Sequence, residues 1–256
     1  MRGLADKTFL VAGGATGIGA ATAKRLAAEG ACVSIGDNNL AGATATAEQI
    51  MAGGGRAIAV GFDLADEQSV QRLVQTTITE FGAIHGLHNV GADLSEANLG
   101  RDTTILDTGM DVWQRTLDVN LLGYVRTIRA VLPHLLAQGG GSIVNTSSGA
   151  ALGSDPAHVA YGASKAAVNH LTRHVAVNWG KDNIRSNGVM PGLVMGETQE
   201  RQNDLALQQA FLTFGKTARL GRPDDLAAIT AFLLSDDAEW ITGQVWYIGG
   251  GSHLRQ

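Results

Sequence analysis

The sequence predicts an α/β protein built on one doubly wound, parallel, seven-stranded sheet with helices on both faces. Three observations lead to this prediction. Short apolar runs alternate with longer helical patterns along the chain, which is typical of repeated strand–helix–strand units. The apolar runs are nearly continuous, as expected for strands that are buried on both faces. No proline-rich or charged linker divides the 256 residues, so we expect a single domain spanning 1–256.

Each element follows from its local pattern. The strands are short apolar runs bounded by turn residues, and they are predicted over 8–12, 32–36, 56–62, 86–91, 142–148, 184–190 and 244–250. The segments between them carry helical spacing and predict helices over 18–29, 40–52, 66–81, 110–137, 157–180 and 224–235. We expect Pro133 to bend the end of the long fourth helix. Ligands of such a fold bind beyond the carboxyl ends of the strands.

Composition excludes several classes of protein. The net charge of −5 and the absence of a Lys/Arg run argue against nucleic acid as a main partner. No apolar stretch approaches the ~18 residues that span a membrane, and the N-terminal apolar run is too interrupted for a signal peptide. The single cysteine, Cys32, cannot form an intrachain disulfide, which favours a reducing cytoplasm.

Tyr161 and Lys165 are the most informative pair in the chain. They are four residues apart on a predicted helix, so they lie on the same face, and Ser148 precedes Tyr161 by 13 residues. A positive charge beside a phenol favours the phenolate; bringing a tyrosine pKa from ~10 to ~7 takes roughly 4 kcal/mol. The pair therefore predicts a proton-transfer group suited to interconverting an alcohol and a ketone.

A glycine-rich segment joins the first predicted strand to the first helix. Gly13 allows a tight turn, Gly17 allows close approach of a pyrophosphate, and Gly19 allows close packing of helix on strand. The helix N-terminus then offers unpaired N–H groups and the positive end of its dipole to phosphates. The segment therefore predicts a dinucleotide site.

Acidic residues follow the next two strands. Asp37, 18 residues after Gly19, can accept hydrogen bonds from the adenosine ribose, and it would repel a 2′-phosphate. Thr16 and Asn38 stand where a basic residue would recruit that phosphate, so NAD is favoured over NADP. Asp63 and Leu64 are expected to bracket the adenine, although Asp63 could equally cap the next helix.

Together these residues resemble the classical short-chain dehydrogenase/reductase family, whose sheet is of Rossmann type. The resemblance covers nearly the whole chain and keeps the family's order: Gly13–Gly19, Asp37, Asp63-Leu64, His88–Gly91, Asn120, Ser148, Tyr161, Lys165 and Pro191-Gly192. It implies that Tyr161 is the general acid/base, Lys165 lowers the pKa of Tyr161 and holds the nicotinamide ribose, Ser148 orients the substrate oxygen, and Asn120 supports a proton relay.

The resemblance and the residue patterns together give the predicted site. The catalytic residues are Asn120, Ser148, Tyr161 and Lys165. The cofactor-binding residues are Gly13, Thr16, Gly17, Ile18, Gly19, Asp37, Asp63, Leu64, Asn89, Gly91, Tyr161, Lys165, Pro191, Gly192 and Val194. The cofactor is expected to be NAD, and the substrate a small alcohol or ketone.

The chain departs from the family pattern at three places. Ala12 stands where the glycine motif commonly begins with Thr, and His88-Asn89-Val90-Gly91 replaces the usual Asn-Asn-Ala-Gly. Gly196 stands where a Thr often binds the nicotinamide carboxamide, and Thr198 follows two residues later. The first two sites are usually supportive in the family, whereas the third is closer to the chemistry.

A histidine pair and a polar segment late in the chain each have a simple structural interpretation and a functional one. His170 and His174 have a spacing that can bind metal, but they lie on the side of their helix away from Tyr161, so packing or a subunit contact is favoured and no metal is expected. Residues 195–216 are predicted to form a substrate lid that closes over Ala151, Leu152, Asp155 and His158; a plain surface helix is the alternative.

The sequence therefore predicts an NAD(H)-dependent oxidoreductase. The family usually pairs the helices that carry Asn120 and Tyr161 between subunits, which implies a homotetramer or homodimer. The first alternative is a nucleotide-binding sensor of the same fold without turnover, and a minor one is an epimerase or dehydratase. The residues that define the substrate are expected in 93–106, 149–158 and 193–214.

Overall fold

The computed structural model describes residues 1–153, 156–196 and 205–253. The strands are β1 (Thr8–Ala12), β2 (Cys32–Asp37), β3 (Arg56–Gly61), β4 (Gly86–Asn89), β5 (Gly141–Thr146), β6 (Ile184–Pro191) and β7 (Val245–Ile248). They form one seven-stranded sheet in the order β3-β2-β1-β4-β5-β6-β7, and every neighbouring pair is parallel. The predicted fold class is confirmed, and each strand lies within two residues of its predicted bounds.

Helices cover both faces of the sheet. They are α1 (Gly17–Ala28), α2 (Leu40–Ala52), α3 (Glu67–Phe81), α4 (Met110–Leu117), α5 (Gly123–Ala137), α6 (Val159–Trp179), α7 (Leu205–Phe214) and α8 (Pro223–Leu234). The prediction of one uniform helix over 110–137 was wrong, because a π-helical turn at Asp118–Leu122 separates α4 from α5. Pro133 lies within α5, and the helix continues beyond it to Ala137.

The core consists of two layers separated by the sheet. Along β1, Phe9 and Val11 pack on the side of α1, α2 and α8, whereas Leu10 and Ala12 pack on the side of α3, α5 and α6. This alternation follows from the two-residue period of a strand and explains why the strands are apolar almost throughout. Of the helices that the structure describes, none is long and apolar enough to cross a membrane.

Candidate active site

The predicted site residues lie where the parallel strands end, along one edge of the sheet. β1 ends at Ala12, β4 at Asn89, β5 at Thr146 and β6 at Pro191. The strand order reverses between β1 and β4, because β2 and β3 continue on one side of this pair and β5 to β7 on the other. Doubly wound proteins bind ligands in the crevice at such a switch point. The fold therefore brings the glycine segment and the predicted catalytic residues to the same edge.

The glycine segment has three distinct backbone requirements. Gly13 has φ +106, its N–H donates to the Gly36 carbonyl at 2.7 Å, and a Cβ there would collide with the backbone of Gly91. A Cβ at Gly19 would collide with the carbonyl of Gly13. Gly17 has φ +54, and a Cβ there would meet no described atom within 4 Å. Gly13 and Gly19 are thus needed for internal packing, whereas Gly17 borders open space.

The N-terminus of α1 follows this turn. Thr16 is the N-cap residue, it is exposed, and its side chain makes no capping hydrogen bond to the described residues. Ile18 is half-buried and packs against the core beneath the helix. The first N–H groups of a helix have no partner within it, and they carry the positive end of its dipole. This end of α1 therefore suits a phosphate group.

Asp37 is held against the glycine segment. Its Oδ2 accepts a hydrogen bond from the Ala15 N–H at 2.9 Å, and its Oδ1 accepts one from the Asn39 N–H at 2.9 Å. The carboxylate is half-buried and therefore fixed beside the loop that begins α1. A fixed negative charge at this position favours a neutral ribose hydroxyl over a 2′-phosphate.

Asp63 and Leu64 follow β3. The Asp63 carboxylate accepts from the Ala65 N–H at 2.9 Å and stabilises its own turn. The N-cap of α3 is Asp66, whose side chain accepts from Gln68, so the alternative that Asp63 caps this helix was wrong. Leu64 is buried. Asp63, which is half-buried, therefore belongs to the edge of the crevice and not to the helix start.

α6 carries the predicted acid–base pair. Lys165 is 1% exposed, and its Nζ lies 2.9 Å from the Thr146 carbonyl oxygen and 5.8 Å from the centroid of the Tyr161 ring. Burial lowers the pKa of Lys165 to about 7. Tyr161 is only half-buried. The pair thus places the buried amine of Lys165 beside the ring of a half-buried tyrosine, as the spacing of four residues predicts.

Tyr124 is a residue near the pair that sequence reasoning missed. Its ring is fully buried, its hydroxyl lies 3.4 Å from Lys165 Nζ, and it donates to the Thr146 carbonyl at 3.2 Å. The sequence carried no local signal for this contact, because Tyr124 and Lys165 are 41 residues apart and lie on different helices. Lys165 Nζ therefore lies near two tyrosine rings, that of the fully buried Tyr124 and that of the half-buried Tyr161.

Two serines follow β5 and have different roles. Ser147 is buried, and its hydroxyl donates to the Lys165 carbonyl at 2.9 Å, which ties α6 to the strand end. Ser148 is half-buried and begins a short 3₁₀ turn, in which its Oγ accepts from the Ala150 N–H at 3.2 Å. This bond uses Ser148 Oγ as an acceptor, so its hydroxyl proton stays available to a substrate oxygen.

Asn120 lies in the π-helical turn and is fully buried. Its Oδ1 accepts from the Asp93 N–H at 2.9 Å, and Asp93 forms a 2.8 Å ion pair with Arg115. Its Nδ2 is buried without a hydrogen-bond partner in the part of the chain that the structure describes. π-turns within helices are frequent at functional sites, and a buried amide donor without a partner is suited to an ordered water.

Asp102 is a second residue that the sequence did not reveal. It is 1% exposed, and its two carboxylate oxygens accept from the Ala160 N–H at 3.0 Å and the Tyr161 N–H at 2.8 Å. The N-cap residue of α6, His158, has φ +57, and its side chain does not cap the helix. Asp102 therefore caps α6 from a distant loop and fixes the turn that carries Tyr161.

The end of β4 is occupied by a buried polar ladder. Asn89 donates to the Asn145 side chain at 2.9 Å and accepts from the Thr127 hydroxyl at 2.7 Å. Both ends of its side-chain amide are thus engaged inside the fold, and Asn89 supports the backbone path at the end of β4. The Gly91 N–H donates to the Ala12 carbonyl at 2.8 Å, which joins this loop to the glycine segment.

His88, which departs from the family pattern, is also buried. Its Nε2 lies 2.9 Å from the Thr146 hydroxyl, and its Nδ1 has no hydrogen-bond partner among the described residues. Burial lowers the pKa of His88 to about 3, so the imidazole is neutral at physiological pH. The histidine therefore supports the strand end that holds Lys165 and carries no charge there.

The last predicted cofactor residues follow β6. Pro191 ends the strand, the Gly192 N–H donates to the Ile248 carbonyl at 3.0 Å, and buried Val194 forms a bridge with Gly221. These bonds hold the segment beside β7. Asp155, Thr198 and the lid residues 197–204 lie outside the described residues, while α7 forms the later part of the predicted lid.

The histidine pair on α6 packs with an aromatic residue. The rings of His170 and His174 have centroids 6.4 Å apart, and His174 lies edge-on to Trp179 at 6.2 Å. Within the described ranges no group of three or more His, Cys, Asp or Glu side chains is arranged to hold a metal ion.

A family model and several known proteins match nearly the whole chain. The family model described as enoyl-(acyl carrier protein) reductase matches residues 13–253. A probable short-chain type dehydrogenase/reductase of Bradyrhizobium diazoefficiens is 41% identical over 245 residues, which cover 96% of this chain and 86% of the relative. The 7alpha-hydroxysteroid dehydrogenase of Bacteroides fragilis is 36% identical over 247 residues, covering 96% of this chain and 94% of the relative.

Two further comparisons agree with these. The cyclohexanol dehydrogenase of an Acinetobacter species is 33% identical over 249 residues, with 96% of this chain and 94% of the relative covered. A solved structure of a 7α-hydroxysteroid dehydrogenase complexed with NADH and 7-oxo glycochenodeoxycholic acid superposes with a TM-score of 0.91 at 30% identity. It covers 98% of this chain and 95% of the other.

Proposed function

Because the chain belongs to the short-chain dehydrogenase/reductase family, we propose that it is an NAD(H)-dependent oxidoreductase that interconverts a secondary alcohol and a ketone. The observation that carries this proposal is the buried Lys165 ammonium beside Tyr161 on one helix. Asn120 and Ser148, the other two proposed catalytic residues, lie at the same edge of the sheet. A single domain spanning 1–256 would carry both the cofactor site and the substrate site.

The residues at the strand ends fit a nicotinamide dinucleotide. Open space beside Gly17 and the start of α1 suit a pyrophosphate, and Asp37 suits the adenosine ribose. Asp63 and Leu64 would border the adenine, and Lys165 would hold the nicotinamide ribose. The remaining proposed cofactor residues are Gly13, Thr16, Ile18, Gly19, Asn89, Gly91, Tyr161, Pro191, Gly192 and Val194. Asn89 would act through the backbone path that it supports.

The proposed mechanism divides the work between proton and hydride. When bound, the nicotinamide ring supplies hydride chemistry, accepting a hydride from the carbinol carbon or returning it to a ketone carbon. In the oxidative direction Tyr161 accepts the proton of the substrate hydroxyl, and in reduction it returns that proton. The Lys165 ammonium stabilises the Tyr161 phenolate, and the Ser148 hydroxyl donates to the substrate oxygen. Asn120 would hold a water that links Lys165 to solvent.

The preference for NAD rests on Asp37. Its carboxylate is fixed by two backbone N–H groups beside the start of α1. A 2′-phosphate there would meet a negative charge at short range, which costs about 1–3 kcal/mol for a half-exposed pair. That range corresponds to roughly 5- to 150-fold in the ratio of kcat/KM for the two cofactors.

The substrate is proposed to be a small or medium secondary alcohol or its ketone. Two relatives are named for hydroxysteroid and cyclohexanol oxidation, which makes cyclic secondary alcohols the first panel to assay. Residues 195–216 would act as a lid over this site, and shortening them should raise the KM of the substrate far more than the Kd of the cofactor. A homotetramer or homodimer is proposed for the assembly.

A spectroscopic screen tests this function. Wild-type protein with NAD⁺ and cyclic secondary alcohols should produce NADH, and the same screen with NADP⁺ should give much lower kcat/KM. Preference for NADP⁺ would contradict the proposed role of Asp37. Tight NADH binding without turnover across a broad panel would favour the alternative, a nicotinamide-nucleotide sensor.

A further inference from the structure

Tyr124 occupies an unusual position for a tyrosine. It is fully buried on α5, its hydroxyl lies 3.4 Å from Lys165 Nζ, and Nζ also lies 5.0 Å from the centroid of its ring. The same hydroxyl donates to the Thr146 carbonyl at 3.2 Å, and Lys165 donates to that carbonyl at 2.9 Å. Tyr124, Thr146 and Lys165 therefore form a closed triangle of polar groups beneath the proposed site.

We infer that Tyr124 is a positioning residue that holds the Lys165 side chain charged and within reach of Tyr161. This inference rests on the proposed function, in which the ammonium stabilises the Tyr161 phenolate. An ammonium has three N–H donors, and the Thr146 carbonyl and Tyr124 hydroxyl take two of them. The third N–H is not used by these two acceptors, and the ring centroid of Tyr161 lies 5.8 Å from Nζ.

The directions of these hydrogen bonds require a neutral Tyr124. A hydroxyl that accepts from Lys165 and donates to Thr146 must keep its proton. Burial, and secondly the nearby Tyr161, raise the pKa of Tyr124 well above its ordinary value, so the proton is retained. Tyr124 is thus a fixed dipole with its oxygen towards the ammonium, and it does not compete with Tyr161 as an acid.

Few other groups around Lys165 titrate. On its own helix the neighbour is Tyr161, on α5 it is Tyr124, and on β4 it is His88, which contacts the Thr146 hydroxyl. The pKa of His88 is about 3, so it is neutral near pH 7. No carboxylate among the described residues forms an ion pair with Lys165. The Tyr124 oxygen and the Thr146 carbonyl are therefore the polar acceptors that offset burial of the ammonium.

Removing one acceptor should make the charged form of Lys165 harder to keep. Tyr124→Phe retains the ring and its packing but deletes the hydroxyl, and we expect the pKa of Lys165 to fall by roughly one unit. A weaker positive charge then raises the pKa of Tyr161. The acid limb of the pH profile of kcat/KM for alcohol oxidation should therefore move by a similar amount to higher pH.

The direct test is NMR titration of protein labelled with ¹³Cε-lysine, which needs neither cofactor nor substrate. The chain has five lysines, and Lys165→Met assigns the relevant signal. The control is Thr77→Val on α3. This substitution also deletes a fully buried hydroxyl, which donates a hydrogen bond to the Ser34 hydroxyl at 2.7 Å. We expect a lower Lys165 pKa in Tyr124→Phe and no change in Thr77→Val. An unchanged Lys165 pKa in a folded Tyr124→Phe protein would overturn the inference.

A measurement on the wild-type sequence protects the test against misfolding of the variant. With ¹³Cζ-tyrosine, the three tyrosine signals can be assigned using Tyr161→Phe and Tyr247→Phe. The Tyr124 signal should shift as Lys165 titrates near pH 7, without the larger change that marks loss of a phenol proton. A Tyr124 signal indifferent to Lys165 would count against the contact.

The two proposals fail in different ways. Absence of turnover by the wild-type protein would refute the proposed function, whereas the lysine titration would still report on Tyr124. Normal turnover combined with coincident pH profiles for wild type and Tyr124→Phe would leave the function intact and refute the positioning role. A purely structural tyrosine would lower stability in Tyr124→Phe without moving either titration.

Discussion

The cap that Asp102 places on α6 gives a prediction whose size follows from two hydrogen bonds. Asp102→Ala removes the acceptors of the Ala160 and Tyr161 N–H groups, at 3.0 and 2.8 Å, in a position that is 1% exposed. Loss of a helix cap costs about 1 kcal/mol, and leaving a further buried N–H unpaired costs about 2 kcal/mol. We therefore expect the free energy of unfolding to fall by about 3 kcal/mol.

The assay is urea unfolding at fixed protein concentration, with the midpoint compared at constant slope. Asp107→Ala is the matched control, because it removes an exposed carboxylate of the same loop, one bonded to the Thr104 hydroxyl. This control should change stability by less than about 0.5 kcal/mol. Asp102→Asn keeps one acceptor oxygen and should lose about half as much as Asp102→Ala.

The same cap also fixes the turn that carries Tyr161, so its loss should appear in catalysis as well. In folded Asp102→Ala protein we expect kcat/KM to fall at least ~10-fold, because a displaced acid–base group transfers protons poorly. If Asp102→Ala were as stable and as active as Asp107→Ala, the two hydrogen bonds would contribute nothing to the stability of α6 or to the placement of Tyr161.

Three further predictions concern the cofactor edge and β4. Asp37→Ser combined with Asn38→Arg should raise the ratio of kcat/KM for NADP⁺ to kcat/KM for NAD⁺ by ~30-fold. The reason is that a repulsion of about 2 kcal/mol between the Asp37 carboxylate and the 2′-phosphate is replaced by an attraction to the arginine. Gly17→Ala should weaken NADH binding, measured by fluorescence titration, on the order of tenfold, with about 1 kcal/mol lost in stability; Gly19→Ala should destabilise the fold more, because its Cβ would meet backbone. The pKa of His88 is about 3 when folded and 6.5 ordinarily, so the unfolded chain binds the extra proton and stability falls as pH drops from 6.5 towards 3. His88→Asn should remove up to about 1.4 kcal/mol per pH unit of that loss in acid unfolding curves.

Each of these has a clear contrary result. An unchanged cofactor ratio in the Asp37 variant would mean that the carboxylate does not face the ribose. Equal NADH affinity in wild type and Gly17→Ala would show that the open space beside Gly17 is not the phosphate site. Parallel acid unfolding curves for wild type and His88→Asn would mean that the pKa of His88 is the same in the folded and unfolded states.

The sequence predicted the sheet and most helices because their patterns are local. Strand 8–12 is an unbroken apolar run, and helix 40–52 has the same bounds in the structure. The long helix over 110–137 was misjudged at its centre, because a π turn inserts one extra residue without interrupting helical φ and ψ, and no residue type marks it. The π turn contains Asn120, so the irregular part of the helix lies within the candidate site.

The candidate site was predicted less evenly. Tyr161 and Lys165 were found because their spacing is a property of one helix, but Asp102 contacts that helix from 59 residues away, a distance in sequence at which no local pattern operates. Tyr124 looked like an ordinary core residue, since only the folded structure brings its hydroxyl to Lys165. The hydrogen bond between the side chains of Asn89 and Asn145 was likewise not visible in the sequence, because the two residues are brought together by the pairing of β4 with β5.

The central claim is that Tyr161, beside Lys165, transfers the substrate proton. The most direct test compares wild type with Tyr161→Phe in NAD⁺-dependent oxidation of a cyclic secondary alcohol, with NADH affinity measured in parallel. We expect Tyr161→Phe to bind NADH like the wild type but to lose at least ~10²-fold in kcat, because a positioned acid–base group has been removed. Turnover by Tyr161→Phe close to that of the wild type, with the same pH dependence, would contradict it.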